Sequence, residues 1–332
     1  MKKDTIEEIF SKFSELNVLV IGDAMVDIYL WGKIERISPE GPIPIVTITK
    51  QENRLGGAGN VALNIQALGA TPILVSVIGD DEKGKIFTQL MNENNLINNG
   101  LFTDVTRMTT AKTRIISGGQ QISRFDQEIS SLIDSEFEQL VFERISQIIN
   151  SEHINIITFA DYDKGLITPR LIKNVIELAK RKNIFTAVDP KNRNFKNYRQ
   201  VDLFKPNYKE FKDGLNLQID KTDIEELKKI AMNFKKENQI GLLFITLSEL
   251  GVFMTNEDDQ NLYPSKVRDI ADVSGAGDTV IAAASLCLAA GISIPFLAQL
   301  SNLAGGLVCE KLGVVPVDME QLKKEAKKIQ IV

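Results

Sequence analysis

The run Asp272-Val273-Ser274-Gly275-Ala276-Gly277-Asp278-Thr279 passes directly into the apolar stretch Val280 to Ala290. Small residues at a helix start leave backbone N–H groups uncovered, and bare amides at a helix N-terminus form an anion site. The amides of Gly275, Ala276 and Gly277 would then face the charge that spreads over a transferring phosphoryl group. Asp278 stands at the same end, where it can accept the proton of an attacking hydroxyl. The competing account is an ordinary helix start whose first-turn acid complements the dipole.

A second run, Gly56-Gly57-Ala58-Gly59-Asn60-Val61-Ala62, opens a helix that ends at Leu68-Gly69. Gly57 lets a ligand approach the backbone closely, and Asn60 offers both a donor and an acceptor to sugar hydroxyls. The run also contains Gly-x-Gly-x-x-Ala, with Asp80 about twenty residues later at a strand end, which imitates a dinucleotide fingerprint. In a Rossmann unit the glycines follow the strand directly. Here the polar stretch Lys50 to Arg54 intervenes and the first clear strand ends at Asp23, so a nicotinamide-dependent oxidoreductase ranks far below phosphoryl transfer.

Gly79-Asp80-Asp81-Glu82-Lys83-Gly84-Lys85-Ile86 has phosphate-loop spacing, but Ile86 lacks a hydroxyl for Mg²⁺ and the carboxylates inside the loop repel phosphates. In Pro206-Asn207-Tyr208-Lys209-Glu210, Asn207 and Glu210 share a helical face and suit Mg²⁺-bound water; a capping pair would use the same residues.

These groups need a frame. Short β-branched runs, Val18 to Ile21, Ile73 to Ile78, Ile154 to Phe159, Ile184 to Val188 and Leu242 to Leu247, read as strands buried on both faces. Helix patterns lie between them, at Asn60 to Leu68, Lys83 to Asn94, Glu136 to Ile149, Pro169 to Lys182 and Asp223 to Lys236, with Thr168 as the cap before Pro169. The alternation predicts an α/β fold, a doubly wound, mostly parallel sheet with helices on both faces. Strands end in Asp23, Asp80, Asp161 and Asp189, so these acids are expected along one cleft. Segments 27–50 and 103–126 alternate apolar with polar residues and read as antiparallel strands of a small β lid, with Gly118-Gly119 as a hairpin turn.

Composition excludes several classes. A net charge of -5 argues against a nucleic-acid partner. Cys287 and Cys309 sit in apolar helical stretches, which suits buried thiols in a reducing cytoplasm. His153, the only histidine, rules out HExxH zinc sites and HxGH nucleotidyl transfer. Met1 to Leu16 reads as a charged amphipathic helix and not a signal peptide, so a cytoplasmic location is expected. Thr279 to Cys309 carries no charge and is long enough to span a membrane, but Gly291 and Pro295 divide it into two buried helices, so no membrane partner is expected.

Gly56-Gly57, Asn207-x-x-Glu210 and Gly275-Ala276-Gly277-Asp278 stand in the order found in ribokinase-like (PfkB-type) carbohydrate kinases, and the sequence resembles that family over nearly its whole length. More narrowly, Gly22 to Asp27, Trp31-Gly32, Arg36-Ile37-Ser38-Pro39-Glu40, Lys112-Thr113-Arg114, Gln120-Gln121, Asp161-Tyr162-Asp163-Lys164-Gly165 and Asp189-Pro190-Lys191 resemble the D-glycero-β-D-manno-heptose-7-phosphate kinases of lipopolysaccharide core synthesis. The Arg-Ile-Ser-Pro-Glu run is the most specific of these. Ala160 and Asn192-Arg193 depart from the Ser and Gly-Thr usual there.

The resemblance implies a ribokinase-like fold, ATP as donor, Mg²⁺, and Asp278 as base with the amides of Gly275 to Gly277 as anion hole. It further implies a sugar site using Asp27, Gly57 and Asn60, and a nucleotide site using Asn207, Glu210, Thr246, Ser248 and Gly251. Glu210 would hold Mg²⁺ through water, and Asp272 a monovalent cation, with potassium activation expected. Lids of such enzymes commonly pair, so a homodimer is expected.

A sugar phosphate in a closed cleft needs cations. Lys112, Arg114 and Arg124 on the lid hairpin, with Lys164 and Lys191 beside Asp161 and Asp189, are expected to serve the acceptor, heptose 7-phosphate, which would become the 1,7-bisphosphate. Ribose or fructose are the alternative acceptors. A non-catalytic sugar binder is disfavoured, since a binder has no need of a base. One kinase domain over 1–332 is expected, without the nucleotidyltransferase domain that many relatives carry.

Overall fold

The structure is a computed structural model that describes residues 5–256, 260–266 and 268–328; the first four residues of the N-terminal helix pattern lie outside them. Helix α1 (Ile6–Phe13) leads into core strand β1 (Asn17–Gly22), followed by two long strands, β2 (Ala24–Ile37) and β3 (Pro44–Gly57). Helix α2 (Ala58–Ala67), β4 (Thr71–Gly79), α3 (Glu82–Glu93) and β5 (Ile97–Asp104) come next. A hairpin, β6 (Thr110–Ser117) and β7 (Gln120–Gln127), turns on Gly118 and Gly119 at φ +58° and +77°. Then come α4 (Ser135–Ser151), β8 (Ile156–Ala160), α5 (Pro169–Lys182), β9 (Phe185–Asp189), β10 (Leu203–Phe204), α6 (Tyr208–Leu215), α7 (Ile224–Asn238) and β11 (Leu242–Thr246). Strands β12 (Val252–Thr255) and β13 (Gln260–Tyr263) precede α8 (Ala276–Ala289), α9 (Ile294–Cys309) and α10 (Met319–Lys328).

The main sheet has nine strands in the order β13-β12-β11-β10-β9-β8-β1-β4-β5. From β5 to β11 the pairs are parallel; β12 and β13 add an antiparallel edge. Alternate side chains of a buried strand point to opposite faces. Val18 and Val20 accordingly enter a core built with α2, α8 and α9, while Leu19 and Ile21 enter a second with α4, α5 and α7. Thr168 caps α5, whose first residue is Pro169. The uncharged stretch 279–309 is two helices, and no helix among the described residues is long and apolar enough to cross a membrane. Both cysteines are free, and burial pushes the Cys287 thiol up.

The small sheet has four strands in the order β3-β2-β6-β7. Its outer pairs are antiparallel, but the central pair, β2 with β6, is parallel from Met25 opposite Thr110 to Gly32 opposite Ser117. The lid therefore occupies 24–57 and 110–127 rather than 27–50 and 103–126, and Thr103 and Asp104 belong to the main sheet. Alternation of apolar and polar residues marks strands without marking the sheet they join.

Candidate active site

Helices α2 and α8 pack so that their N-terminal turns meet. Gly275 precedes α8 at φ +81°, and a Cβ there would lie 2.9 Å from Asn60 Nδ2, so only glycine fits both the backbone and the space. Among the described residues no side chain caps this end of α8. Asp278, one turn in, is 4% exposed. Its Oδ2 accepts from Asn60 Nδ2 at 2.7 Å and its Oδ1 from the Tyr162 hydroxyl. A second tie sets the register of the two helices: Asn64 Oδ1 accepts from Thr279 Oγ1 at 2.9 Å and from Val317 N at 3.0 Å. Burial pushes the Asp278 carboxyl up to about 7, with Asp189 adding to the push while Tyr162 and Asn60 pull it down.

Asp278, Gly275 and Gly277 line a cleft of about 190 Å³ together with Asp189, Lys191, Lys205, Asn207, Glu210, Thr246 and Tyr162. The capping reading of the Asn207–Glu210 pair holds: the two residues form a reciprocal cap on α6, each backbone–side-chain bond 2.8 Å long, and both also border the cleft. The other Glu210 oxygen pairs with Lys191. Burial pulls the Lys191 ammonium down, but Asp189 and Glu210 outweigh it and hold the group above the usual lysine range. Buried Lys205 pairs with Asp189 at 3.0 Å. Ser248 and Gly251 lie in the turn between β11 and β12, outside the cleft lining; Gly251, at φ +96°, shapes that turn.

The four strand-end acids have separate fates. Buried Asp23 accepts the backbone N–H groups of Tyr162, Lys164 and Leu166 at 2.9 to 3.2 Å. Asp161, expected to contact substrate, is 1% exposed and accepts from Asn194 Nδ2 at 3.0 Å and Tyr198 Oη at 2.8 Å, so it anchors the chain behind the cleft. Asp80 is exposed elsewhere. Only Asp189 reaches the cleft lining.

The expected acceptor cations also divide. Arg114 forms a buried pair with Asp27 in the lid base, close to Gly56 and Gly57 at the head of α2. Lys112 pairs with Asp126 at 3.2 Å and Glu128 at 3.4 Å, Lys164 pairs with Glu128 at 2.9 Å, and Arg124 with Asp126 at 2.7 Å. Each of these four cations is thus paired with an acid of the small sheet or the segment after it, whereas Lys191 pairs with Glu210. Asp272 accepts from Ser274 N at 2.9 Å and Gly313 N at 3.0 Å, which ties the loop before α8 to the 309–317 segment. Among the described residues no group of three or more His, Cys, Asp or Glu side chains gathers as a metal cluster.

Residues 15–321 match the family described as pfkB family carbohydrate kinase. The chain belongs to that family. It is a phosphotransferase with an alcohol group as acceptor. The pfkB-family chain is 37% identical over 97% of its length to the bifunctional protein HldE of Syntrophotalea carbinolica and 38% identical over 98% to that of Geotalea uraniireducens. It spans 65% and 66% of those relatives, about two thirds of their length. Among solved structures, phosphofructokinase-2 from Escherichia coli in complex with potassium superposes with a TM-score of 0.79 at 19% identity, covering 95% of this chain and 98% of that one. Arabidopsis thaliana ribokinase, complexed with ribose and ATP, gives 0.71 at 15% identity, covering 93% and 99%. Both show the ribokinase-like fold.

Two cleft residues of this kinase, Tyr162 and Lys205, have no role in the sequence reading, whereas Asp189 stands where the strand-end pattern expects an acid. Lys205 carries a usable signal, a charged residue directly after the buried strand pair Leu203-Phe204, which is expensive unless a partner acid waits. Tyr162 stands inside a recognised run but shows its direction only in three dimensions.

Proposed function

We propose that this kinase moves the γ-phosphoryl group of ATP to O1 of D-glycero-β-D-manno-heptose 7-phosphate. The observation that carries the transfer is Asp278, buried between two hydrogen-bond donors beside the uncapped N-terminus of α8. Asp278 takes the acceptor's proton, the acceptor oxygen bonds to the γ-phosphorus, and the bond from that phosphorus to the β,γ-bridging oxygen breaks, releasing ADP. The amides of Gly275 to Gly277 meet the charge on the transferring group. Asn207, Glu210 and Thr246 border the nucleotide, with Lys191 and Lys205 as counter-charges. Glu210 offers oxygen donors of the kind Mg²⁺ prefers and would hold it through water; bound there, the ion neutralises triphosphate charge. Asp272 would hold potassium, to be checked by activity with and without the ion.

The acceptor assignment is supported by the lid, where Arg114 pairs with Asp27 beside Gly56, Lys112 and Arg124 act on the same carboxylate and Lys164 shares Glu128 with Lys112, and by the HldE relatives. The 332 residues act in this reading as one cytoplasmic kinase unit. A homodimer through the lid is proposed because that sheet exposes Ile34, Ile37, Ile48 and Phe125.

A coupled assay with heptose, heptose 7-phosphate, ribose and fructose tests the acceptor. The 7-phosphate is expected to give by far the highest kcat/KM. Equal turnover of heptose and its 7-phosphate would overturn the acceptor and bring ribose or fructose forward.

The buried base also sets a pH dependence. Only the ionised carboxylate accepts a proton, and its raised value means half of it is protonated at about 7. Accordingly kcat/KM should climb through that pH and level off above it. A profile flat well below 7 would show that Asp278 ionises as an ordinary aspartate or plays no part.

A further inference from the structure

We propose that Tyr162 is a positioning residue, whose hydroxyl donates to Asp278 Oδ1 and holds the carboxylate oriented for the acceptor. This rests on the reading of Asp278 as base.

Three observations converge on Tyr162. The first is contact: its hydroxyl and Asn60 Nδ2 take one oxygen each of the carboxylate, so the group cannot rotate without losing a bond. A carboxylate has about four lone-pair sites, so a site on each oxygen stays open for the acceptor hydroxyl. The second is anchoring. Asp23 accepts the Tyr162, Lys164 and Leu166 N–H groups, and neighbouring Asp161 accepts from Asp163 N at 2.9 Å as well as from Asn194 and Tyr198. Two buried acids are therefore committed to a single turn, which delivers the half-buried Tyr162 side chain to the cleft.

The third is charge. Burial, then Asp278 and Asp189, with Asp27 also contributing, push the Tyr162 phenol well above its ordinary range, so it stays a donor at every working pH. The Lys191 ammonium lies 5.5 Å from the centre of its ring. Asp189, Lys205 and Lys191 also face Asp278, and all of them remain when only the hydroxyl is removed.

The test is Tyr162→Phe in the full chain, which deletes one oxygen and keeps the ring. Infrared titration of the ligand-free protein follows the Asp278 carboxyl, assigned by its loss in Asp278→Asn. A hydrogen bond to a charged group biases ionisation about tenfold or more, so the midpoint should rise by about one pH unit. The acid limb of kcat/KM, measured with ATP and heptose 7-phosphate, should move equally, with much of the rate returning at alkaline pH. Fluorotyrosine at 162, a stronger donor of the same shape, should move the midpoint down and decides the matter if the Phe variant folds poorly. An unmoved midpoint in both variants overturns the proposal. The infrared result needs no turnover, so it stands apart from the base assignment, which fails only if Asp278→Asn keeps its activity.

Discussion

Asp278→Asn should lower kcat by about 10² to 10⁴ and leave ATP binding nearly intact, since general-base loss removes a proton acceptor without reshaping the site. The substitution is nearly isosteric. Its oxygen still accepts from Tyr162, while its new amide would meet Asn60 Nδ2 donor to donor, so Asn60 must turn its own amide over. The loop before α8 is held by Asp272, and the contact of α2 with α8 by Asn64 and Thr279, so the frame persists. Thermal midpoints with Mg²⁺ provide the control: ATP should raise those of variant and parent alike, and NAD neither. A variant that kept more than about a tenth of the parent rate would remove Asp278 from the role.

Arg114→Ala should produce the largest loss of stability of any lid substitution, about 3 to 5 kcal/mol, because it strands the Asp27 carboxylate in the lid base. Arg114 and Arg54 flank the Tyr29 ring at 5.2 and 4.7 Å, and Tyr29 Oη accepts from Val314 N at 2.8 Å. Losing the guanidinium therefore loosens a joint that reaches the 312–314 segment. The pH dependence has a definite sign. Burial already holds Asp27 above its ordinary value despite Arg114, and without that neighbour it rises further. A folded-state carboxyl that binds protons more tightly than the unfolded one loses stability as pH rises between the two values. The deficit should thus be smaller in acid than at neutral pH, as urea unfolding at both would show. KM for the sugar phosphate should rise far more than KM for ATP. A deficit below about 1 kcal/mol would mean that water replaces the pair at little cost.

The frame was largely legible in the chain because buried parallel strands announce themselves as β-branched runs and helix caps as Thr-Pro or Asn-x-x-Glu. Asp278 was legible for a similar reason: small residues before an apolar helix state a local arrangement, and local arrangements survive folding. The parallel pairing of β2 with β6 was not, since it joins residues some eighty-five apart, Asp27 opposite Lys112, and no short-range pattern encodes it. The strand-end acids show the limit most plainly. Asp23, Asp161 and Asp189 look alike in sequence, yet two turn inward to collect donors and one turns outward to Lys205. Which way a side chain turns depends on neighbours that arrive from distant segments, here Tyr162 to Leu166, Tyr198 and the strand before Pro206.

Two of the four connections that root the small sheet contain almost no spare chain, while the links from β5 to β6 and from β7 to α4 run through 105–109 and 128–134. Strand β1 passes into β2 across Asp23 alone, and β3 passes into α2 with no residue between Gly57 and Ala58. A flap hung on slack loops must freeze those loops at each closing, at roughly 1 to 2 kcal/mol per residue immobilised. This sheet is instead a cantilever rooted at its base. Any closing bends or twists ordered backbone, so little disorder is given up when ligands bind, and the heat-capacity change should report the apolar area covered with scarcely any contribution from folding coupled to binding.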